Sequence, residues 1–543
     1  MNIFNPKIIE SLKGYNRKTF IKDLTAGAVV GIVALPMAIA FGIASGVTPQ
    51  QGIITAIIAG FIISFFGGSK VQIGGPTGAF IVIVAGVVST YGMLGLLVAT
   101  MMAGIMLLLM GIFKFGDIIK FIPYPVIVGF TSGIALVIFS TQMNDFFGLG
   151  LLRVPAAFHE KWIIYFQNIN NINLWAVGIA VFTVFTGFFW VRINKSVPGS
   201  LVAIILTTLA VWLFDLPVET IGSRFGEIVA EVPAPALPVF TFESLQTLLP
   251  VAFTIAMLGA IESLLSAMVA DGAIGDRHNS NTELIAQGVA NIVTPLFGGI
   301  PATGAIARTM TNIKNGGRTP VAGIVHAVVL LLLLLIFGKM AKMIPMPCLA
   351  GILVIIAYNM SEWRSFRGLL KNSRADVAVL LITFFLTVVF DLTIAIGIGL
   401  LLAVLLFVRR ISQSATIQID EQPATIDETP VSLPKGVDVF HINGPFFFGV
   451  ANKFEEAFLR VSKPPKVRII DMGNVPFIDS TGIQNLTNFW KKCRQANIKI
   501  LLARVNPAVL ETLKKNELYN NIGVNQIFFD FDGAVEEARE MLK

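Results

Sequence analysis

Long apolar stretches separated by short polar turns run from about residue 24 to residue 410. Most are about 20 residues long, the length of helix that crosses the hydrocarbon core of a bilayer. The pattern predicts about 14 transmembrane segments after a cytoplasmic N-terminal segment, 1–23. The approximate ranges of these spans are 24–46, 49–66, 73–89, 92–113, 121–142, 174–193, 197–215, 246–270, 282–298, 302–314, 320–338, 344–360, 375–391 and 392–410.

Composition supports a polytopic α-helical membrane protein. The chain is 55% hydrophobic and 13% charged, with a mean hydropathy of +0.77, whereas about 25% of the residues in soluble domains are charged. Basic residues gather at the cytoplasmic ends of spans. In this topology only Arg153, Lys161, Arg224, Lys339 and Lys342 flank spans on the outer side. We therefore predict a multi-pass protein of the cell membrane, the inner or plasma membrane, with both termini in the cytoplasm.

Several functional classes are excluded by the same residues. Topology accounts for much of the basic excess behind the net charge of +7, so no nucleic-acid partner is predicted. Cys348 and Cys493 fall in different compartments, and the four histidines have no ligand spacing, so no disulfide, metal site or cofactor is expected. No nucleophile–base pair or phosphate-binding loop has the context it needs, so the chain is not predicted to be an enzyme.

Two motifs recur at nearly one period. The sequence GDIIKFIPYPVIVG at 116–129 shares G-x-x-x-K-x-I-P-x-P-x-x-x-G with GKMAKMIPMPCLAG at 338–351, and GGPTGAF at 74–80 resembles GGIPATGAI at 298–306. The period covers about seven spans, an odd number, so equivalent helices run in opposite directions. We predict a 7+7 inverted repeat, with halves at about 24–215 and 246–410.

Spans 3 and 10 are interrupted by glycine and proline, which predicts two short helices in the membrane interior. Pro76 and Pro301 suit a first helical turn. The N-termini of the two helices should face each other, and their free N–H groups and helix dipoles would bind an anion between them. The predicted donors lie around Thr77, Gly78, Ala79 and Phe80, and around Thr303, Gly304, Ala305, Ile306 and Ala307.

Three further residues are candidates for this site. Arg308 can reach back toward the helix start and add a permanent cation, or it can extend toward the cytoplasmic interface. Glu262 lies within span 8, one turn from Ser266; it can form an ion pair with Arg308, carry a coupling proton or bind a cation. A proton is preferred to sodium, because Ile306 and Ala307 offer no side-chain oxygen.

A polar, proline-containing linker is predicted at 411–436, followed by a small cytoplasmic α/β domain at 437–543. Strand patterns occur at VDVFHI, VRIIDM, IKILLA and NQIFFDF. Amphipathic helix patterns occur near 450–462, 480–497, 506–516 and 532–543.

The sequence VRIIDMGNVPFIDSTGIQNL at 467–486 resembles a STAS domain. In soluble relatives the second hydroxyl of the D-S-[ST]-G turn accepts phosphate, which makes Thr481, with Ser480, a candidate regulatory residue. Asp479 and Ser480 suit a helix N-cap equally well, and this interpretation is favoured. The domain could also bind a cytoplasmic protein partner.

Together with LPMAIAFG in span 1, the paired broken motifs and GAIESLLSAMVAD in span 8, this tail resembles the SulP family, called solute carrier family 26 in animals. The resemblance implies a core domain of spans 1–4 and 8–11, a gate domain of spans 5–7 and 12–14, and a homodimer. It places the anion site at Phe41, Gly78 to Phe80 and Gly304 to Arg308. We expect elevator-like, proton-coupled uptake of sulfate. Bicarbonate or dicarboxylate transport, sodium coupling, anion exchange and an anion channel remain alternatives.

Overall fold

The computed structural model describes residues 4–119, 123–151, 154–155, 157–193, 198–226, 231–238, 242–390, 392–420, 424–426, 429–431, 433–450 and 464–543. The chain forms two compact units, Met1–Leu400 and Leu401–Lys543.

Helices dominate the first unit. They are α1 Lys7–Ser11, α2 Arg17–Ala44, α3 Pro49–Phe66, α4 Phe80–Ile112, α5 Gly116–Ile119, α6 Tyr124–Phe147, α7 Phe158–Gln167, α8 Leu174–Ile193, α9 Gly199–Phe214, α10 Ile221–Phe225, α11 Phe242–Ile274, α12 Ser280–Val293, α13 Ile306–Lys314, α14 Val321–Phe337, α15 Met346–Met360, α16 Trp363–Leu369, α17 Arg374–Val389 and α18 Leu392–Ser414, which continues into the second unit. Short 3₁₀ turns occupy Ile169–Asn171, Thr294–Phe297 and Gly338–Met343. Two short strands, β1 Gly74–Gly75 and β2 Thr303–Gly304, complete this unit.

Each predicted span coincides with helical structure. Among the described residues, seven helical stretches are long and apolar enough to cross a membrane: Arg17–Ala44, Pro49–Phe66, Phe80–Ile112, Tyr124–Phe147, Phe242–Ile274, Val321–Met343 and Met346–Leu369. Helices α8 and α9 are shorter apolar helices. The helix order is consistent with fourteen spans in two inverted halves. The repeated I-P-x-P motifs also have similar local structures, because Pro123 and Pro345 are the N-caps of α6 and α15, in the same extended conformation.

The helices of the first unit pack in two groups. Helices α2, α3, α4, α11, α12, α13 and α14 contact one another most extensively, and so do α6, α8, α9, α15 and α17. The first group contains spans 1–4 and 8–11, and the second contains spans 5–7, 12 and 13. This division agrees with the core and gate domains that the family resemblance implies.

Neither interrupted span is a full-length rod. Helix α4 breaks at Gly92, whose φ of 69° favours glycine, so its first segment, Phe80 to Tyr91, is about 18 Å long at 1.5 Å per residue. Helix α13 has nine residues. The prediction that Pro76 and Pro301 lie in first helical turns is wrong. Pro76 directly follows β1 and Pro301 precedes β2, so both lie outside the helices, next to the paired strands.

The second unit contains an α/β domain. Its sheet has the order β3-β6-β7-β8, where β3 is Thr416–Asp420, β6 is Val437–Asn443, β7 is Val467–Asn474 and β8 is Lys499–Ala503. Strand β3 is antiparallel to β6, and the other pairs are parallel. Strands β4 Ala424–Ile426 and β5 Thr429–Val431 form a separate hairpin. The helices are α19 Ser480–Gln495, α20 Pro507–Lys514, α21 Glu517–Ile522 and α22 Phe531–Leu542, with 3₁₀ turns at Phe448–Val450 and Val524–Gln526.

Three of the four predicted strands are present, and two predictions need correction. NQIFFDF forms no strand; only Ile527 makes an isolated bridge, to Leu502. The fourth strand is β3, within the predicted linker 411–436. Its alternation of Ile417 and Ile419 with polar residues suits a strand with one buried face, and it pairs with β6 over five residues. The predicted helix at 450–462 lies almost entirely outside the described residues.

Candidate functional site

The two glycine-rich interruptions cross inside the first unit. Strands β1 and β2 pair antiparallel, Gly74 opposite Gly304 and Gly75 opposite Thr303. Ala305 N–H extends the contact by donating to Ile73 O at 2.9 Å. The short helices begin just after these strands, α4 at Phe80 and α13 at Ile306. Because the strands are antiparallel, the chain leaves the crossing in opposite directions, and both helix N-termini remain beside it.

The start of α4 has backbone donors without protein acceptors. Phe80 N–H donates to Thr77 O at 3.2 Å and Ile81 N–H to Gly78 O at 3.1 Å. The N–H groups of Thr77, Gly78 and Ala79 have no acceptor among the described residues. Of the predicted donors, Phe80 is therefore already engaged, and the other three remain able to bind a ligand.

Helix α13 has a similar arrangement at its start. Thr309 is the first residue of the helix whose N–H is bonded, to Ala305 O at 2.9 Å. Within the described structure, the N–H groups of Ile306, Ala307 and Arg308 have no acceptor. Of the predicted donors, Ala305 N–H is used by Ile73 O, and Thr303 and Gly304 belong to the paired strand β2, so the donor set begins at Ile306. Neither helix has an acidic residue of its own in its first turn.

Arg308 is buried at the crossing, with 2% of its surface exposed. Its guanidinium donates to Gly74 O at 3.3 Å and to Pro76 O. A side chain on Gly75 would collide with the Arg308 guanidinium, and the φ of 145° at Gly75 also favours glycine. The side chain therefore reaches back to the opposite interruption, as one of the two predicted alternatives has it, and does not extend to the cytoplasmic interface.

Glu262 belongs to α11, and its carboxylate lies beside the start of α4. Thr77 Oγ1 donates to Glu262 Oε2 at 2.9 Å, and among the described residues no ion pair joins Glu262 to Arg308. A static ion pair between the two is therefore not what holds this carboxylate. Its hydroxyl partner belongs to the predicted anion site.

One face of α11 lies against both interruptions. Besides Glu262, Ser263 O accepts from Gln72 Nε2 at 3.2 Å and Gly259 O accepts from Thr303 Oγ1 at 2.9 Å. Ser266 Oγ donates to Thr309 Oγ1 at 3.4 Å, so it contacts α13 rather than the Glu262–Thr77 pair. Positions 259, 262, 263 and 266 follow helical spacing, which puts them on one face.

The remaining site residues differ in exposure. Phe41 in α2 is 5% exposed and belongs to the same apolar cluster as Ala79 and Phe80. Ile306 is 42% exposed, and Ala307 beside it is also exposed. The backbone donors of α13 are therefore closer to the protein surface than those of α4.

Two nearby residues were missed by sequence reasoning. Gln72 is buried beside Gly304, and its Oε1 has no hydrogen-bond partner among the residues that the structure describes. A polar residue just before a membrane break was the available signal. Met360 belongs to the second helix group, and a side chain on Gly78 would lie 2.8 Å from its sulfur. No sequence pattern points to this long-range contact.

In the second unit, Asp479 caps α19. Its Oδ1 accepts from Gly482 N–H at 2.7 Å and its Oδ2 from Phe448 N–H at 3.1 Å. Ser480 and Thr481 follow in the first turn, and both are exposed. The favoured N-cap interpretation matches this geometry, with Asp479 as the cap. Phosphorylation of Ser480 or Thr481 stays a prediction.

Throughout the described ranges, no group of three or more His, Cys, Asp or Glu residues could hold a metal ion. Cys348 and Cys493 are both buried free thiols. What the crossing offers is therefore two sets of backbone N–H groups, one buried guanidinium and one carboxylate.

Known proteins are similar to this chain over most of its length. The model of the Sulfate permease family matches residues 20–383, and that of the STAS domain matches residues 430–536. "Putative sulfate transporter YvdB" of Bacillus subtilis is 45% identical over 95% of this chain and 97% of its own length. "Bicarbonate transporter BicA" of Synechocystis sp. is 31% identical over 95% of this chain and 94% of its own length. Murine Solute Carrier 26 family member A9, solved in the inward-facing state, aligns with a TM-score of 0.88 at 17% identity over 98% and 94% of the two chains, a likeness of fold alone.

Crossed helix breaks inside a polytopic helical unit, joined to a small α/β domain, define a membrane transporter of the SulP class. The chain belongs to the Sulfate permease family and ends in a STAS domain. The predicted family and fold class are thereby confirmed. The prediction that the chain is not an enzyme is confirmed as well, because the family is one of transporters.

Proposed function

We propose that the protein is a secondary active transporter that takes up sulfate with protons, using the crossing of β1 and β2 as its anion site. The observation that carries this proposal is the pair of free N–H sets at 77–79 and 306–308, beside the buried Arg308 guanidinium. Such donors suit a tetrahedral oxyanion, which accepts hydrogen bonds from several directions. Sulfate is preferred because the 45% identical relative carries the name "Putative sulfate transporter YvdB".

The proton is assigned to Glu262. Its carboxylate is within hydrogen-bond distance of Thr77, whose N–H belongs to the donor set. A carboxylate and an oxyanion repel each other at such close range, so protonation of Glu262 would favour anion binding. Proton and anion would then bind together and cross together.

The two helix groups suggest how the site moves. The anion donors, Arg308 and Glu262 all belong to the core group, whereas Met360 and Ile138 approach Gly78 from the gate group. Sliding of the core past the gate would carry the whole site between the two membrane faces. We place the protein in the cell membrane with both termini in the cytoplasm, as a homodimer; a cytoplasmic partner for the STAS domain remains open.

A second candidate is sodium-coupled bicarbonate or dicarboxylate transport. The 31% identical relative is named a bicarbonate transporter, and Glu262 and Thr77 offer two oxygen ligands that suit a hard cation. Anion exchange and a channel are further alternatives, and the channel would pass current without a saturable step.

Uptake into proteoliposomes tests the proposal. Labelled sulfate and bicarbonate are compared under imposed pH and sodium gradients. We expect Arg308→Ala to raise the sulfate KM, because the guanidinium is lost and the crossing is loosened. Glu262→Gln should abolish the dependence of uptake on the pH gradient. Glu243→Gln, at the exposed start of the same helix, is the control.

A different result would overturn each part of the proposed function: the residue roles, the coupling ion and the transport mechanism. Wild-type behaviour of both variants would remove the assigned roles. Uptake driven by sodium and indifferent to pH would favour the second candidate. Ohmic, non-saturating current in electrical recordings would indicate a channel.

A further inference from the structure

A cavity of about 510 Å³ lies between the two helix groups, beside the first segment of α4. Along α4 it is lined from Ile81, one residue into the helix, to Tyr91 at the break. Val137 and Thr141 of α6 line it from the gate group, and Val251 of α11 lines it from the core group. In the predicted topology it leads from the α4 helix start to the outer face of the membrane.

Lys161 is the only charged residue among the described lining residues of this cavity. It belongs to α7, between spans 5 and 6, and is 5% exposed. Within the described part of the chain, its ammonium has no hydrogen bond or ion pair. Burial lowers the pKa of Lys161 to about 8, which leaves the group mainly protonated at neutral pH.

An unpaired buried ammonium is costly, and proteins rarely keep one without a partner. The missing partner here has an identifiable chemistry. The cavity also contains the hydroxyl of Thr90, which can donate to an oxyanion, whereas the hydroxyls of Ser89 and Thr141 already donate to Gly86 O and Ile138 O. No acidic side chain belongs to the described lining, so nothing in the cavity would neutralise Lys161 or repel an anion.

We propose that Lys161, in the cavity it shares with the Thr90 hydroxyl, forms a second, outer anion site, which holds a small oxyanion between the external solution and the site at the β1/β2 crossing. The inference rests on the proposed transport function and adds to it a specific entry step. A positive charge in a cavity with apolar walls raises the local concentration of anions, and its effect falls as salt screens the charge. Lys161 would thus set the affinity for external anion without taking part in coupling.

The test compares variants in proteoliposomes of known orientation at pH 7 and low ionic strength. Lys161→Met removes the charge while keeping an unbranched chain, and Lys161→Arg keeps the charge. Lys339→Met is the matched control, because Lys339 is an exposed lysine on the predicted outer side that does not line the cavity. Labelled sulfate is offered from the outer or the inner side, and KM, Vmax and thermal stability are measured.

We expect Lys161→Met to raise the KM for external sulfate about tenfold, a typical size for electrostatic attraction into a cleft. Vmax and the KM for internal sulfate should stay within about twofold, and Lys161→Arg should restore the external KM. The difference between Lys161→Met and wild type should shrink in high salt. Lys339→Met should behave like wild type.

An unchanged external KM in Lys161→Met overturns the outer site. So does an Arg variant as impaired as the Met variant, or a joint loss of Vmax and thermal stability, which would indicate a structural role. If wild type transports anions, Arg308→Ala does not, and Lys161→Met has the external KM of wild type, the outer site is refuted while the proposed transport function stands. Absence of anion transport by wild type would instead refute the proposed function.

Discussion

At the scale of single residues, the hydroxyl of Thr77 connects the two halves of the proposed mechanism. It donates to Glu262 at the start of the helix whose N–H groups would bind the anion. A carboxylate that loses such a donor is destabilised by about 1.5–3 kcal/mol. We therefore expect Thr77→Val to lower proton-driven uptake by roughly tenfold or more, while Thr77→Ser keeps it.

Initial uptake rates under a fixed pH gradient measure this effect. A Val variant that transports as fast as the Ser variant would show that the hydroxyl at position 77 makes no specific contribution to uptake. Thr100→Val is a matched control in the same helix, because the Thr100 hydroxyl bonds only within α4, to Leu96 O at 2.7 Å.

A second residue-scale prediction concerns Asp471 in the STAS domain. Its carboxylate is buried beside His441 Nδ1 at 2.7 Å and accepts from Arg504 Nε at 2.8 Å. Burial favours the neutral acid, but the hydrogen bonds from His441 and Arg504 outweigh it and lower the pKa of Asp471 from 3.8 to about 2. The charged form therefore stabilises the fold by about 2 kcal/mol above pH 4, and this is lost as the pH falls from about 4 to about 2.

Chemical denaturation of a segment of residues 415–543 at several pH values between 2 and 6 measures this contribution. Asp471→Asn should be less stable than wild type at pH 6, and the difference between the two should narrow below pH 4. A constant difference across the range would mean that ionisation of Asp471 is not the cause.

At the scale of elements, close contacts between helices decide which glycines can be replaced. Gly288 of α12 lies against α4, and a Cβ there would lie 2.6 Å from Leu108 N and 2.7 Å from Gly104 O. Both are backbone atoms, which cannot rotate away, so the helices would have to separate at a cost of about 1–3 kcal/mol. We expect Gly288→Ala to lower the thermal unfolding midpoint by several degrees.

Gly272→Ala in α11 is the control, because a Cβ there meets no atom within 4 Å. Alanine is favoured over glycine in a helix by up to about 1 kcal/mol, so this variant should unfold at the same or a higher temperature. Equal effects of the two substitutions would show that helix propensity, rather than the α4–α12 contact, sets the outcome.

Elements with a clear periodic or broken pattern were predictable from the sequence, and elements set by long-range pairing were not. The apolar spans, the breaks in spans 3 and 10 and the three central STAS strands have local signals. The sequence pattern places strand β3 in a linker, because its two isoleucines indicate a strand only when β6 lies beside them. Pro76 and Pro301 were placed in helices because the β1/β2 pairing that keeps them extended joins residues more than 200 positions apart.

The candidate site shows the same division. The Thr77–Ala79 donors and the backward reach of Arg308 followed from helix-end chemistry. The loss of Phe80 and Ala305 as donors depends on which carbonyls happen to lie nearby. The bonds from Arg308 to Gly74 O and Pro76 O and the approach of Met360 to Gly78 required the folded chain.

At the scale of the whole molecule, all proposed transport residues lie within Met1–Leu400, and the STAS domain has apolar clusters of its own, around Ile470 and Val535. Each unit thus has an apolar core of its own. We expect a chain ending at residue 415, after α18, to transport sulfate with a KM within about twofold of the full chain, because no contact in the proposed site is removed.

Regulation or assembly by the STAS domain would instead change Vmax or the oligomeric state. The truncated and full-length chains are therefore compared for uptake per folded protein and for mass in detergent. Full-length Asp471→Asn is the internal control, since it weakens only the STAS unit and should leave the KM unchanged. If folded, truncated protein binds or transports no sulfate, the STAS domain contributes to the anion pathway, and a site confined to the first unit is incomplete.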